Sequence, residues 1–380
     1  MPFDPTREAG LARLNCFVSK AGKAYQDGRN YDVSPEGIGA VSQLSPWLRH
    51  RLISETEVLR AVLNHHSKRE AEVFVQEVFW RGYFKGWLEQ HPSVWKHYKA
   101  AVAQTTAHNS KAYRTAVAGQ TGIECFDHWC AALKNDGYLH NHARMWFASI
   151  WIFTLRLPWE LGAAFFLKHL QDADPASNTL GWRWVAGLHT KGKTYLATAD
   201  NIAKFTQGRF NPVGGLAQAA PPLEELELHA TVPFSAPQAE PEKPHLLVIT
   251  EEDCLAGDTL SPSCLGILGI LSPEASRFAQ GALRDTLARH GGQLYQGHNW
   301  SAAIETAAQQ AKTKHILTAH IPVGPVADGF AHTRKALTAK GYEISHKIRA
   351  YDSLLWPHAT KGFFKLKKQI PTLLEVLDLG

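Results

Sequence analysis

The sequence of 380 residues contains few cysteines, few methionines and no long apolar run, and each shortage excludes a class of protein. It has five cysteines and two methionines. The cysteines, Cys16, Cys125, Cys130, Cys254 and Cys264, form no C-x-x-C pair. Their odd number and loose spacing predict reduced thiols and argue against a disulfide framework, a zinc site or an iron–sulfur site.

Targeting and membrane signals are also missing. The N-terminus, MPFDPTREAG, lacks a basic stretch followed by an apolar one, and apolar stretches elsewhere are interrupted well before the length of a membrane span. We therefore expect a cytoplasmic protein. The net charge of +5 and the pI near 8.8 permit an acidic partner such as DNA but do not require one.

The most informative stretch runs from Gly137 to Trp184. Four of its residues share one stripe of a predicted helix: Asn141, Arg144, Met145 and Ala148. Four more lie around a proline and a glycine and are predicted on a bent segment: Asp172, Asp174, Asn178 and Trp182. The stripe is too polar for an ordinary core face. A buried Arg144 needs a carboxylate, which Asp172 or Asp174 could supply.

Two further motifs lie upstream. In the run Val41–Ser45, Ser45 is a good N-cap and Pro46 suits a first helical turn, so this helix could hold phosphate on its free N–H groups or could be a plain capped helix. A second predicted helix, 70–90, places four residues on one face: Glu77, Trp80, Arg81 and Phe84. Without further context that face indicates an amphipathic helix with a half-buried tryptophan.

The motif H-N-x-x-R-M, a tryptophan at position 159 and D-x-D-x-x-x-N-x-x-G-W-x-W together resemble the flavin-binding core of the DNA photolyase/cryptochrome family. The resemblance covers Cys16 to Pro212 and implies a mainly α-helical domain that binds FAD. It implies these cofactor-binding residues: Tyr25, Ser42, Gln43, Leu44, Ser45, Arg144, Asp172, Asp174 and Asn178. Val41 and Gln43 depart from the threonine and arginine usual in the family.

The same resemblance implies repair of pyrimidine dimers in DNA by an electron from reduced flavin. Its substrate-binding residues would be Glu77, Trp80, Arg81, Asn141, Met145 and Trp184. Relatives that repair (6-4) lesions carry a His-His pair, whereas here His140 is followed by Asn141, which favours cyclobutane dimers. Alternatives are a cryptochrome-like photoreceptor that signals through a protein partner, and a helical scaffold that has lost its flavin.

The catalytic residues implied by the resemblance are Asn178, Arg144, Asp172, Trp182 and Trp159. Photoreduction of the flavin would use Trp182 and then Trp159. A third, outer member stays open among Trp95, Trp129, Trp146 and Trp151. In residues 91–120, where many relatives carry that outer tryptophan, we find only Tyr113 as a central aromatic.

After residue 244 the pattern changes to short apolar runs that alternate with helical segments, which predicts a parallel sheet with crossover helices. No G-x-G-x-x-G or P-loop occurs there. Residues 351–371 resemble the end of the photolyase antenna domain. We therefore predict a helical FAD-binding domain (1–211), a linker with seven prolines (212–244) and a smaller α/β, Rossmann-like and antenna-like domain (245–380), whose chromophore, if any, stays unknown.

Overall fold

The computed structural model describes residues 3–33, 39–235 and 243–379. The chain divides into two compact units. The first unit comprises Met1–Ser19, Ser42–Gln90 and Val232–Gly380, and the second comprises Lys20–Val41 and His91–Thr231. Across the described ranges, no helix has both the length and the apolar character needed to cross a membrane.

The helices of the described residues, in chain order, are α1 (Arg7–Val18), α2 (Lys23–Gly28), α3 (Ser45–Arg49), α4 (Glu55–Leu63), α5 (Lys68–Gln90), α6 (Pro92–Gln104), α7 (Lys111–Ala118), α8 (Glu124–Asp136), α9 (Asn141–Ser149), α10 (Trp159–His169), α11 (Pro175–Val185), α12 (Ala199–Phe205), α13 (Arg277–His290), α14 (Trp300–Gln310), α15 (Pro325–Ala339), α16 (Ala350–Leu355), α17 (Phe363–Lys367) and α18 (Ile370–Val376). A π-helical turn, Ile150–Thr154, follows α9 directly. The strands are β1 (His245–Thr250), β2 (Cys264–Leu271), β3 (Gln293–Gln296), β4 (His315–Ala319) and β5 (Glu343–Lys347).

The first unit contains a sheet of five parallel strands in the order β3-β2-β1-β4-β5. The central strand β1 is buried along its whole length, and its Leu247 pairs with Ile267 of β2 and Leu317 of β4. Burial on both faces explains why β1 is a continuous apolar run rather than an alternating one. The predicted parallel sheet with crossover helices is confirmed, as is the helix-rich character of the chain.

The N-terminal helices of the first unit begin at polar caps. Thr6 accepts a hydrogen bond from the N–H of Ala9 at the start of α1, and Ser54 forms a capping box with Glu57 at the start of α4. The apolar spacing of the segment from Phe17 to Arg29 predicts one amphipathic helix that ends near Asp27 and Gly28. Instead α1 stops at Val18, and α2 begins four residues after Ser19, at Lys23.

A buried cluster of charges links the end of α3 to the loop after β1 and to α16, all within the first unit. The Arg49 guanidinium donates to both carboxylate oxygens of Glu252, at 2.8 and 2.6 Å. Arg51 bridges Asp253 at 3.0 Å and Asp352 at 2.9 Å. A buried arginine needs such partners, because an unpaired charge in the interior is very costly.

The second unit is helical. Helix α11 packs against α10 and α9, and the π-helical turn lies between α9 and α10 in the chain. The predicted bend is present only in part. Asp172 and Asp174 lie between α10 and α11, but Asn178 and Trp182 lie on the regular helix α11. Pro175 occupies the first turn of α11, where proline causes no break, so the prediction of a bent segment through Trp182 was wrong.

In the described residues 206–235 and 243–244 there is no regular helix or strand, and residues 236–242 of the predicted linker lie outside the described residues. The first part of this segment is attached to the second unit: Glu225 pairs with Arg183 at 2.6 Å, and the Leu223 N–H donates to Ala186. The predicted domain boundaries at 211/212 and 244/245 stay a prediction. All five cysteines are free.

Candidate functional site

The polar stripe of α9 meets a carboxylate within the second unit. Arg144 donates to both oxygens of Asp172, at 3.3 and 3.0 Å, and its Nε donates to the carbonyl of Leu139 at 3.0 Å. Asp172 is buried. Of the two carboxylates that the sequence left open, Asp172 therefore pairs with Arg144. Asp174 instead caps α11, accepting from the N–H of Ser177 at 2.8 Å.

Asn178 is buried on α11, and its side chain has a fixed orientation. Its Nδ2 donates to the carbonyl of Ala163 on α10 at 2.8 Å, an assignment that follows from the hydrogen-bond network. Because the amide donor is engaged by α10, Oδ1 is the atom of this side chain that remains to accept a further hydrogen bond.

Helix α11 also carries buried polar atoms that lack a partner. Among the described residues, no hydrogen bond reaches Thr179 Oγ1 or Trp182 Nε1, although both residues are buried. Arg183 Nε on the same helix is a third such atom. Buried polar atoms in proteins are nearly always satisfied, so unpaired atoms on the helix that carries Asn178 fit a polar group bound from outside the chain.

The residues predicted to touch a substrate in the second unit differ in exposure. Asn141, the first residue of α9, is exposed, while Met145 on α9 and Trp184 on α11 are half-buried. Trp184 packs against Tyr195 with ring centroids 5.8 Å apart. The packing of α9 on α11 thus keeps these predicted contact residues on two neighbouring helices.

His140 precedes this group as the cap of α9. Its side chain accepts from the N–H of His142 at 3.2 Å. Burial lowers the pKa of His140 to about 4, so the imidazole is neutral at physiological pH.

The loop predicted to hold phosphate lies in the first unit. Helix α3 begins at Ser45, and its cap is Leu44, which forms no side-chain cap hydrogen bond. The prediction that Ser45 is the N-cap was wrong by one residue, because Gln43 adopts a left-handed backbone (φ 53°) and turns the chain earlier. The Ser42 hydroxyl accepts from the N–H of Leu44 at 3.4 Å.

Arg13 of α1 contacts this loop, and no sequence motif predicted that contact. Its Nη1 donates to Gln43 Oε1 at 2.6 Å, and its guanidinium lies 5.2 Å from the centre of the Trp47 ring. A guanidinium beside Gln43 gives the loop a positive charge although position 43 itself is neutral. No local motif marks Arg13, since thirty residues separate it from its partner.

Helix α5 carries the other predicted substrate residues. Glu77, Trp80 and Arg81 are half-buried, and Arg81 Nη2 lies 3.4 Å from the carbonyl of Ser45. The ring of Trp80 is stacked on Phe363 of α17, with centroids 3.8 Å apart and planes 14° apart. One face of the predicted stacking residue is therefore covered by the C-terminal part of the chain.

Gly82 follows these residues on α5. A Cβ at this position would lie 2.2 Å from Leu355 and 3.1 Å from Tyr351, both on α16. Glycine is required here because α16 packs directly on the backbone of α5.

Two predicted residues remain. Tyr25 is buried on α2 in the second unit. Trp159, the first residue of α10, is also buried, and its ring contacts Tyr98 with centroids 5.7 Å apart. The predicted cofactor residues are thus divided: the loop 42–45 belongs to the first unit and the others belong to the second. No group of metal-ligating side chains occurs in the described ranges.

Parts of this sequence are similar to known proteins. Residues 74–227 match the family described as the FAD binding domain of DNA photolyase. The chain is 31% identical over 243 residues to a deoxyribodipyrimidine photo-lyase of Agrobacterium fabrum, an alignment that covers 62% of this chain and 50% of the relative. It is 31% identical over 215 residues to that of a Synechococcus species, covering 54% of this chain and 44% of the relative.

A solved structure of a bacterial class III photolyase from Agrobacterium tumefaciens is also similar, at 28% identity and a TM-score of 0.45 over 53% of this chain and 42% of that one. The chain spans about half the length of the curated relatives it matches. The matched segment of this chain, residues 74–227, is thus similar to the FAD-binding domain of DNA photolyases. The matched domain is an FAD-binding domain, so FAD is its cofactor.

Proposed function

We propose that this protein is a carbon–carbon lyase that repairs cyclobutane pyrimidine dimers in DNA under blue light. The observation that carries the proposal is the arrangement on α9 and α11. There Arg144 of α9, which pairs with Asp172 in the segment before α11, and the oriented Asn178 amide of α11 lie on the same two packed helices as Asn141, Met145 and Trp184. The photo-lyase names of the curated relatives support the same reaction class.

We assign the FAD phosphates to the loop 42–45, with Ser42, Ser45 and the backbone as ligands and Arg13 as the neighbouring positive charge. The flavin ring is assigned to Tyr25 and to four residues around α11, namely Arg144, Asp172, Asp174 and Asn178. When bound, reduced FAD supplies the light-driven one-electron chemistry that splits the dimer.

The residues of the second unit set the polarity around that ring. Asn178 Oδ1 would accept a hydrogen bond from the ring, because Nδ2 is held by the carbonyl of Ala163. Asp172 keeps Arg144 in place through two charge-assisted hydrogen bonds, so the positive charge is available without being mobile. Fixed groups of this kind need no reorganisation when charge moves in the site.

The lesion must leave the duplex to reach such a site, at a cost of a few kcal/mol that is smaller for a damaged base pair. Stacking on an aromatic side chain can return about 1–3 kcal/mol per base. In this proposal Trp184 and Trp80 provide the stacking, Asn141 and Glu77 the hydrogen bonds, Met145 an apolar contact and Arg81 a backbone contact.

The test is a repair assay with matched variants. FAD-loaded protein, chemically reduced, is illuminated with DNA that carries a single cyclobutane dimer, and recovery of thymine absorbance is followed. Trp184→Phe keeps a stacking face, whereas Trp184→Ala removes it, so we expect the Ala variant to bind lesion DNA about tenfold or more weakly. Absence of repair by the reduced wild-type protein would eliminate the proposal.

A second candidate is a light receptor that signals through a protein partner. The observation that favours it is the Phe363 ring on Trp80, which occupies a face of a residue that repair would use for stacking. Phe363→Ala separates the two functions. If Phe363 blocks repair, its removal should raise the affinity for the lesion. If the wild-type protein already binds and repairs the lesion with Phe363 in place, the hypothesis of a photoreceptor loses its support.

We also propose that residues 245–380 form a Rossmann-like, antenna-like domain behind a linker at 212–244. The order of the five parallel strands and the resemblance of residues 351–371 support this assignment. The absorption spectrum of the purified protein tests for a second chromophore: a band beyond those of flavin would identify one.

A further inference from the structure

A basic stretch without acidic residues lies near the end of the first unit. Between Asp352 and Glu375 the sequence contains four lysines and no aspartate or glutamate. Three of these lysines, Lys361, Lys365 and Lys368, are exposed, and in the ranges that the structure describes none of the three has an acidic partner. The fourth pairs with a glutamate of α5 at 3.4 Å. The stretch therefore presents uncompensated positive charge to solvent.

Helix α17 in this stretch has two different sides. Phe363 and Leu366 are buried, and the Phe363 ring is stacked on Trp80 of α5 with centroids 3.8 Å apart. Phe364 instead faces solvent, with 75% of its surface exposed, and its ring meets the Phe363 ring edge-on at 6.3 Å. The outward side of α17 thus combines one exposed aromatic ring with the three exposed lysines.

Single-stranded DNA has the chemistry that matches this outward side. Its phosphates bind cationic side chains, and a base that is not stacked in a duplex can stack on an aromatic ring. A duplex offers the same phosphates but keeps the faces of its bases covered. A membrane surface fits less well, because α17 is five residues long and exposes one aromatic ring rather than a broad apolar face.

We propose that the outward side of α17 binds single-stranded DNA next to the lesion. Phe364 stacks on an unpaired base, and the three exposed lysines bind the neighbouring phosphates. The position follows from α5, because Trp80, the proposed stacking residue for the lesion, contacts the same helix through Phe363. For this placement the inference rests on the proposed function, to which it adds a contact that only unpaired DNA can make.

The test is the binding of undamaged DNA by the full-length protein in the dark. A fluorescein-labelled oligothymidylate and a duplex of the same length are titrated with protein, and fluorescence anisotropy is followed at several salt concentrations. Phe364→Ala should weaken binding of the oligothymidylate about tenfold and leave the affinity for the duplex unchanged, because only the single strand stacks on the ring. Phe364→Trp keeps an aromatic face and should retain the wild-type affinity.

The lysines are tested by the dependence of binding on salt. Lys365→Gln combined with Lys368→Gln should weaken binding of both DNAs. For the single strand it should reduce the slope of log affinity against log salt by about 0.7 per lysine. The controls are Leu265→Ala and Lys335→Gln, because both residues are exposed in the same unit outside α17. Both control variants should bind like the wild type.

A Phe364→Ala variant that binds the oligothymidylate like the wild type would overturn the proposal, as would one that loses affinity for both DNAs to the same extent. If the same residues are needed for binding to phosphatidylserine vesicles while DNA binding is unchanged, the surface belongs to lipid and the proposal is wrong. Repair plays no part in this assay. Failure to repair dimers would therefore contradict the proposed function, whereas an unchanged affinity of Phe364→Ala would contradict this inference alone.

Discussion

Replacing Arg49 by methionine tests how the helical segment and the sheet of the first unit are held together. Arg49 and Glu252 form a bidentate pair with only 2% of each side chain exposed, and Lys85 lies 3.8 Å from the same carboxylate. Removing one partner of a buried ion pair costs about 3–5 kcal/mol, because the remaining charge stays buried without compensation. Lys85 alone, at the longer distance, does not replace two direct hydrogen bonds.

The reasoning also predicts a rescue. Replacing Arg49, Lys85 and Glu252 together with apolar residues of similar volume leaves none of these three charges without its partner, and such replacements are often neutral or stabilising by about 1–4 kcal/mol. The triple variant Arg49→Met, Lys85→Met and Glu252→Met should therefore regain most of the stability lost in Arg49→Met. The control is Lys243→Met, since the Lys243–Glu343 pair is 49% and 59% exposed and should contribute less than about 1 kcal/mol.

The assay is unfolding in urea, monitored by circular dichroism. Both the midpoint of the transition and the dependence of the unfolding free energy on urea concentration are compared, because two compact units need not unfold in one step. A loss for Arg49→Met no larger than that of Lys243→Met would refute the account of a buried, mutually dependent cluster. A triple variant less stable than Arg49→Met would refute the argument from stranded charge.

Three further predictions concern other sites. Burial lowers the pKa of His50 from 6.5 to about 3. As the pH falls below 6.5, the unfolded chain therefore binds a proton at this histidine before the folded protein does. The free energy of unfolding is unaffected by this group above about pH 6.5 and decreases by up to about 1.4 kcal/mol per pH unit as the pH drops towards 3. His50→Asn should flatten this slope in thermal melts between pH 7.5 and 5, and an unchanged slope would contradict the assignment. Gly82→Ala should cost about 1–3 kcal/mol because its Cβ would meet Leu355; an unchanged melting midpoint would show that α16 moves aside freely. Asp172→Asn weakens the hydrogen bonds to Arg144, so purified protein should retain less FAD per chain, by about tenfold in affinity; full flavin occupancy would count against this assignment.

Local patterns predicted much of this fold. Strand β1 is a run of apolar residues with no alternation, which is what burial on both faces of a parallel sheet requires, and the alternation of runs and helices after residue 244 could be followed directly. The polar stripe of α9, which includes Arg144, could also be predicted from the sequence, because helical spacing is regular over nine residues.

Features that depend on distant parts of the chain could not be predicted. Arg49 and Glu252 are 203 residues apart, and nothing local in either segment indicates the other. The contact between the rings of Trp182 and Trp151 could not be predicted for a different reason. A π-helical turn places more residues in each turn than an α-helix, so spacing arguments that start on α9 fail beyond Ile150.

The start of α3 shows a third limit. Ser45 and Pro46 are both typical of helix starts, but the left-handed backbone of Gln43 shifted the cap to Leu44. A non-glycine residue in that conformation is uncommon, and here its side chain is held by Arg13. The backbone geometry thus depends on a contact to another helix, which no local rule contains.

We propose that this protein binds FAD beside Asn178 and Arg144 and uses it to split cyclobutane dimers. The most direct measurement is the thymine absorbance recovered from dimer-containing DNA by the reduced protein under blue light, compared with the same mixture in the dark. The account predicts recovery in the light alone. A flavin-loaded, reduced protein that leaves the dimers intact after illumination would contradict it.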